Sequence, residues 1–222
     1  MAKAGPRQSA ATGPGRPRSA DVRAALVTAA IDALRETGYA GASAREIAGR
    51  AGCSQALVFY HFGSVTDLLL AALDEVSSLR MTAYQGLLDQ SGSAAALVES
   101  AREIFLADLD AGYVRVLTEM MTAAHSVPGH GPQVARRLAP WREFAQTAAR
   151  QALGRSPLGK LLPPAEAGHA VVAAFLGLEL LASLDGDRAA AMALFDRARS
   201  LARLLDVTGG LLLPGRKGDS SP

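Results

Sequence analysis

Residues 42–73 read ASAREIAGRAGCSQALVFYHFGSVTDLLLAAL, and their punctuation decides the fold. Ser43 with Glu46 three residues later is a capping-box pattern. It predicts a short helix through Ile47, Ala48 and Ala51 that stops at Gly52. Ser54 then stands where it can cap a second short helix from Gln55 to about His61. Ser64 with Asp67 opens a longer helix carrying Leu68, Leu69, Ala72, Leu73 and Val76 on one apolar side. Two short helices joined by a glycine turn and flanked by longer ones form a helix-turn-helix arrangement.

Working toward the N-terminus, Leu26, Val27, Ala30, Ile31 and Leu34 recur at helical spacing between Asp21 and Thr37, and Gly38 follows as a stop. Before them, Lys3, Arg7, Arg16 and Arg18 face no acid, a local charge of +4 in a stretch that also holds Pro6, Pro14 and Pro17. Such a composition cannot bury enough apolar surface to order itself, so residues 1–20 read as a basic arm. Toward the C-terminus, helices are expected at Ala94 to Asp110, Val114 to Ala124, Gln133 to Leu153, Ala165 to Leu184 and Ala189 to Val207. The expected organisation is an arm (1–20), a helix-turn-helix domain (21–66), a helical domain (67–209) and a polar tail (210–222).

Composition agrees with an all-α chain, an N-terminal three-helix unit followed by a helical bundle. Of the 222 residues 49% are apolar, 20% charged and only 5% aromatic, and β-branched runs are sparse. The single cysteine, Cys53, excludes an internal disulfide and reads as a small buried hydrophobe. The longest apolar stretch, Ala170 to Leu184, carries Glu179 and is shorter than the ~20 residues of a membrane span. No signal-peptide core opens the chain, so a soluble, cytoplasmic protein without a membrane partner is expected.

The elements R-E-I-A, A-G-x-S and F-Y-H-F-G-S within residues 42–73, together with the helix LVTAAIDALRETGYAG before them, resemble the DNA-binding domain of the TetR/AcrR regulators. Independently, a helix that enters the major groove needs one buried side and one side free of carboxylates. Gln55 to Phe62 meets both needs, with Val58 and Phe62 turned inward and no acid between Glu46 and Asp67. The resemblance implies that Gln55, Ala56 and Leu57 face base edges. Phe59, Tyr60 and His61 would lie on the outer and end surfaces, with Tyr60, His61 and the first turn after Ser64 near phosphates. Arg45 matches a backbone or base contact, and Ser54, like Ser43, is first a cap and second a phosphate ligand. Two positions depart from the family pattern: Val65 stands where lysine is common, and Leu57 replaces a small polar residue. The arm Gly15-Arg16-Pro17-Arg18 could enter the minor groove. The implied partners are double-stranded operator DNA, a second copy of the chain, and a small hydrophobic or amphipathic effector that releases the DNA.

The effector cavity is expected among Phe105, Leu117, Met120, Met121, His125, Trp141, Phe144 and Phe175, with His125 or Glu119 orienting a polar group. The dimer interface is expected on the last two helices, through Val171, Phe175, Leu178, Leu194, Ala198, Leu201 and Leu205. Gly154 to Lys160, GRSPLGK, has the spacing of a phosphate-binding loop, but Leu161 replaces the required Ser or Thr and no strand precedes it. The four histidines show no ligand spacing, and no catalytic constellation is legible. Neither a metal, a cofactor nor an enzyme is therefore expected. A helical carrier of hydrophobic molecules with a degenerate DNA-binding domain is the rival reading.

Overall fold

The computed structural model describes residues 18–153 and 162–211. Among these, every regular element is a helix. The basic arm before Arg18, the GRSPLGK motif and the tail beyond 211 lie outside the described residues. Helix α1 spans Ser19–Gly41, α2 Ala44–Arg50, α3 Gln55–Phe62 and α4 Val65–Gln90. They are followed by α5 (Ala94–Ala111), α6 (Tyr113–Ser126), α7 (His130–Arg137) and α8 (Ala139–Leu153). Helices α9 (Pro164–Asp185) and α10 (Ala189–Leu211) close the chain.

The glycine stop after Thr37 is a kink rather than an end. Gly38 adopts φ +71° and the chain takes one more turn before α2. A side chain there would be strained by the positive φ, which favours glycine, and would have to displace the end of the Glu119 side chain 2.8 Å away. Helix α4 runs for 26 residues, Val65–Gln90, and contributes to the packing from the first three helices to α8. The stretch expected as one helix from Gln133 to Leu153 is two. Pro140 has no N–H to give to the preceding turn, and the chain breaks at Leu138 between α7 and α8.

The main core gathers Leu26, Ala30 and Leu34 of α1, Ile47 of α2, Val58 of α3 and Leu68, Leu69 and Leu70 of α4 with Val116 and Met120 of α6 and Val134 of α7. Apolar packing is thus continuous across the expected boundary at residue 66. Helix α6 lays its Val116, Met120 and Ala123 side, spaced i, i+4 and i+7, into buried positions. A second cluster, Phe105, Phe195, Ala182 and Ala191, joins α5, α9 and α10.

Helices α8 and α9 meet at Gly168, where an added Cβ would lie 2.7 Å from the Gln146 backbone nitrogen. Helix α9 keeps the expected Ala165 to Leu184 to within one residue at each end. Its apolar span is longer than the stretch from Ala170 suggested: at 21 residues, Pro164–Leu184, it reaches the length of a membrane span, so length does not separate it from one. Its buried Glu179, held by Arg80, and its seat against α8 make it a packed bundle helix.

Candidate DNA interface and effector cavity

Ser43 accepts a hydrogen bond from the Glu46 N–H at 3.2 Å and so starts α2. The Glu46 carboxylate turns to Arg50 at 2.8 Å instead of closing the box. Arg50 also holds Glu36 of α1 at 2.7 Å, which ties the second helix to the first. Ser54 occupies the N-cap position of α3 with extended backbone, but its hydroxyl makes no cap hydrogen bond, contrary to the expected role. It lies exposed with Gln55 and Ala56 at the start of the helix. Ser64 does cap α4: its oxygen accepts from the Asp67 N–H at 3.0 Å and its hydroxyl donates to the Asp67 carboxylate at 2.6 Å.

One side of α3 is anchored and the other is open. Val58 is fully buried and Phe62 packs against the same core, its ring covered by the Arg23 guanidinium at 4.8 Å. Gln55, Ala56, Phe59 and Tyr60 are exposed, Tyr60 at 78%, and Arg45 stands exposed on the first turn of α2. His61 is half-buried between Tyr60 and Phe62. Leu57 is the exception within the expected reading face, since it packs partly against the core. Cys53 is partly buried, and burial raises its thiol, as suits a small apolar residue.

A cavity of about 590 Å³ opens between α4, α5, α8, α9 and α10, within the ~300–1,000 Å³ of small-molecule sites. Of the residues named from sequence, Leu117, Trp141, Phe144 and Phe175 line it. Phe105 is fully buried behind that wall, its ring 5.6 Å from Phe175 and 5.3 Å from Phe195. Met120 belongs to the main core. Met121 and His125 are exposed, with the His125 Nδ1 3.0 Å from the Met121 carbonyl. Glu119 accepts the Tyr39 N–H at 2.8 Å and so joins α6 to the kink in α1. Neither Glu119 nor His125 orients a group in the cavity.

A polar cluster that sequence reasoning missed sits at the edge of this cavity. Arg80 and Tyr84, one turn apart on α4, both line it. Arg80 donates to Asp108 of α5 and, at 3.0 Å, to Glu179 of α9, while the Tyr84 hydroxyl donates to Asp108 at 2.9 Å. The Trp141 ring covers the guanidinium at 4.8 Å. All four polar members are buried, and Arg80 Nε and Glu179 Oε2 have no hydrogen-bond partner. Burial pushes the Glu179 carboxyl up to about 7 against the pull of Arg80, and it raises Asp108 as well. The i, i+4 pair on α4 and the acid inside an apolar helix were the available signals. Their meeting across three helices was not.

The cavity wall is also stitched to α4. Arg137, a lining residue, grips Asp74 through two hydrogen bonds of 2.7 and 3.0 Å, and Trp141 donates its indole N–H to Ser77 at 2.8 Å.

On α9 and α10, Val171, Leu194, Leu201 and Ala198 of the expected interface are exposed, and Val171, Ala198 and Leu201 also line the cavity. Phe175 and Leu178 instead pack against the second cluster, and the Leu205 side chain lies outside the described residues. Leu180, Leu181, Leu184, Leu204 and Val207 extend the exposed apolar set beyond the residues named from sequence.

Comparisons with known proteins fit this arrangement. Residues 26–72 match the model of bacterial regulatory proteins, tetR family. An uncharacterized HTH-type transcriptional regulator of Mycobacterium tuberculosis is 34% identical over 110 residues, 49% of this chain and 56% of that protein. The chain thus spans about half the length of the curated relatives it matches. A TetR transcription regulator from Haloarcula marismortui superposes with a TM-score of 0.65 at 18% identity, covering 85% of this chain and 98% of that one. The regulator FadR from Bacillus subtilis, solved with stearoyl-CoA, gives 0.69 at 13% identity over 81% and 96%. At these identities the solved structures establish a shared fold.

Proposed function

We propose that this chain, whose residues 26–72 match the tetR family of bacterial regulatory proteins, is a cytoplasmic, homodimeric, DNA-binding transcription repressor of that family, released by a small hydrophobic or amphipathic effector. The observation that carries the reading is α3. It is anchored by Val58 and Phe62, and its opposite side exposes Gln55, Ala56, Phe59 and Tyr60 without a carboxylate. Gln55 suits a bidentate pair with adenine and Ala56 a thymine methyl. Leu57 is left a lesser part by its partial burial. Arg45, Ser54, Tyr60, His61 and Ser64 supply phosphate contacts around the helix start and end. One such helix reads few bases, so the operator is pseudo-palindromic, with two copies of α3 about 34–36 Å apart.

Release follows from what holds α4. The Asp74–Arg137 and Ser77–Trp141 contacts tie α4 to the cavity wall, and Glu119 ties α6 to α1. A ligand that spreads α8 from α4 loads those contacts and tilts the two reading heads away from operator spacing. A coupling of about 1–3 kcal/mol weakens DNA binding roughly 5- to 150-fold.

The test is a titration of the protein's own upstream DNA at stepped salt. Binding is expected to fall steeply with salt, and Gln55→Ala with Tyr60→Ala to cost at least about tenfold in affinity. Salt-insensitive or absent binding, or an unaffected double variant, would leave the carrier reading, which the half-buried Leu57 and Val65 favour.

A further inference from the structure

Resting on the effector cavity just proposed, we infer that this cavity takes an uncharged, largely apolar molecule and turns away alkyl chains that end in a charge of either sign. Among the described residues that line it, the charged ones are Arg80 and Arg137, and each is already paired. Arg80 donates to Asp108 and Glu179, with the Trp141 ring over its guanidinium. Arg137 commits two nitrogens to Asp74 and the third to the Gln133 carbonyl.

An anion that recruited Arg80 would leave a buried acid without its cation, so the new contact replaces an old one rather than adding to it. A cation finds no carboxylate to meet, because Asp74, Asp108 and Glu179 are not among the residues that line the cavity. Since burial lifts the Glu179 carboxyl to about 7, the Arg80 cluster carries little net charge near neutral pH to favour one sign over the other. Either ion would therefore exchange its hydration for Leu73, Val76, Leu97, Ile104 and Phe175 without a free countercharge. An uncharged chain meets neither cost. On α8 the lining residues Ala145, Ala148, Ala149 and Ala152 fall at i, i+3, i+4 and i+7, so that face offers only methyl groups and leaves to the ligand the space that longer side chains would fill.

Trp141 is the only tryptophan and lines the cavity beside Arg80, so its fluorescence reports occupancy directly. The full-length protein is titrated at pH 7 with decanol, decanoate and decylammonium, three probes with one chain length. Decanol is expected to bind at least about tenfold tighter than either ion. Asp74→Asn, which frees Arg137 from its acid, is expected to narrow the decanol-to-decanoate ratio roughly threefold while decanol binding persists, which shows the fold intact. An ion that binds as tightly as decanol, or an unchanged ratio in Asp74→Asn, overturns this inference and leaves the cavity reading standing. No response to any of the three overturns the cavity reading and this inference with it.

Discussion

Glu179 combines a carboxyl shut off from solvent with one oxygen on Arg80 at 3.0 Å and another without a partner. Because burial lifts its folded pKa to about 7 from an ordinary 4.5, the native state binds a proton that the unfolded chain releases. Its contribution to stability is therefore full below about 4.5 and is lost as pH rises through 7, on the order of 3 kcal/mol. Asp108, raised by burial as well, acts in the same sense. His130, buried against Tyr39 with neither ring nitrogen bonded, is lowered by burial and acts in the opposite sense. The informative quantity is thus the difference between wild type and Glu179→Gln. Urea unfolding at pH 5 and pH 8 is expected to show the wild type losing stability relative to the variant as pH rises. A difference that does not change with pH would contradict the burial argument.

At the scale of helices, ends matter more than middles. Helix α5 begins with Ser93 accepting from the Ala96 N–H at 3.1 Å. Its next two free N–H groups, of Ala94 and Ala95, are taken by the two oxygens of Asp206 from α10 at 2.8 and 3.1 Å. A carboxylate at a helix N-terminus satisfies orphan donors and meets the positive end of the dipole. Asp206→Ala is expected to destabilise the protein by about 1 kcal/mol, and Asp206→Asn by less, in urea melts followed by circular dichroism. Equal melts for all three would show that Ser93 and water suffice. Caps that lie within one segment were legible in the sequence: Ser43 and Ser64 each accept the expected N–H, because the hydroxyl and its N–H are three residues apart, although Glu46 leaves its half of the Ser43 box open. Ser54 shows the limit, since position alone does not orient its hydroxyl. Asp206 was not legible, because its partners are 112 and 111 residues away in the chain.

For the molecule as a whole, the unresolved demand is apolar surface. Leu181, Leu184, Leu194, Leu201 and Val207 are each more than half exposed along α9 and α10, more than scattered surface leucines explain. A second copy seated on this face would cover it and set the two α3 helices one duplex turn apart. Replacing Leu181 and Leu194, neither of which lines the cavity, with Glu is expected to give monomers in sedimentation equilibrium and to reduce operator affinity by at least about tenfold. Dimers that survive both substitutions would place the interface elsewhere. The same face explains why α9 is apolar nearly all round: one side packs on α8, another meets the second aromatic cluster, and a third is left open.

Sequence alone was enough for the all-helical class, the two short helices with their glycine turn, the anchoring of α3 by Val58 and Phe62, and the apolar character of α9. Each of these depends on residues within about one or two turns of one another, where spacing maps directly onto geometry. Tertiary structure alone decided which aromatics line the cavity, which side of α6 meets α1, and that Arg80, Asp108 and Glu179 form one buried cluster. Those groups are separated by 28 and 99 residues, and periodicity says which side of a helix is apolar without saying what it will face.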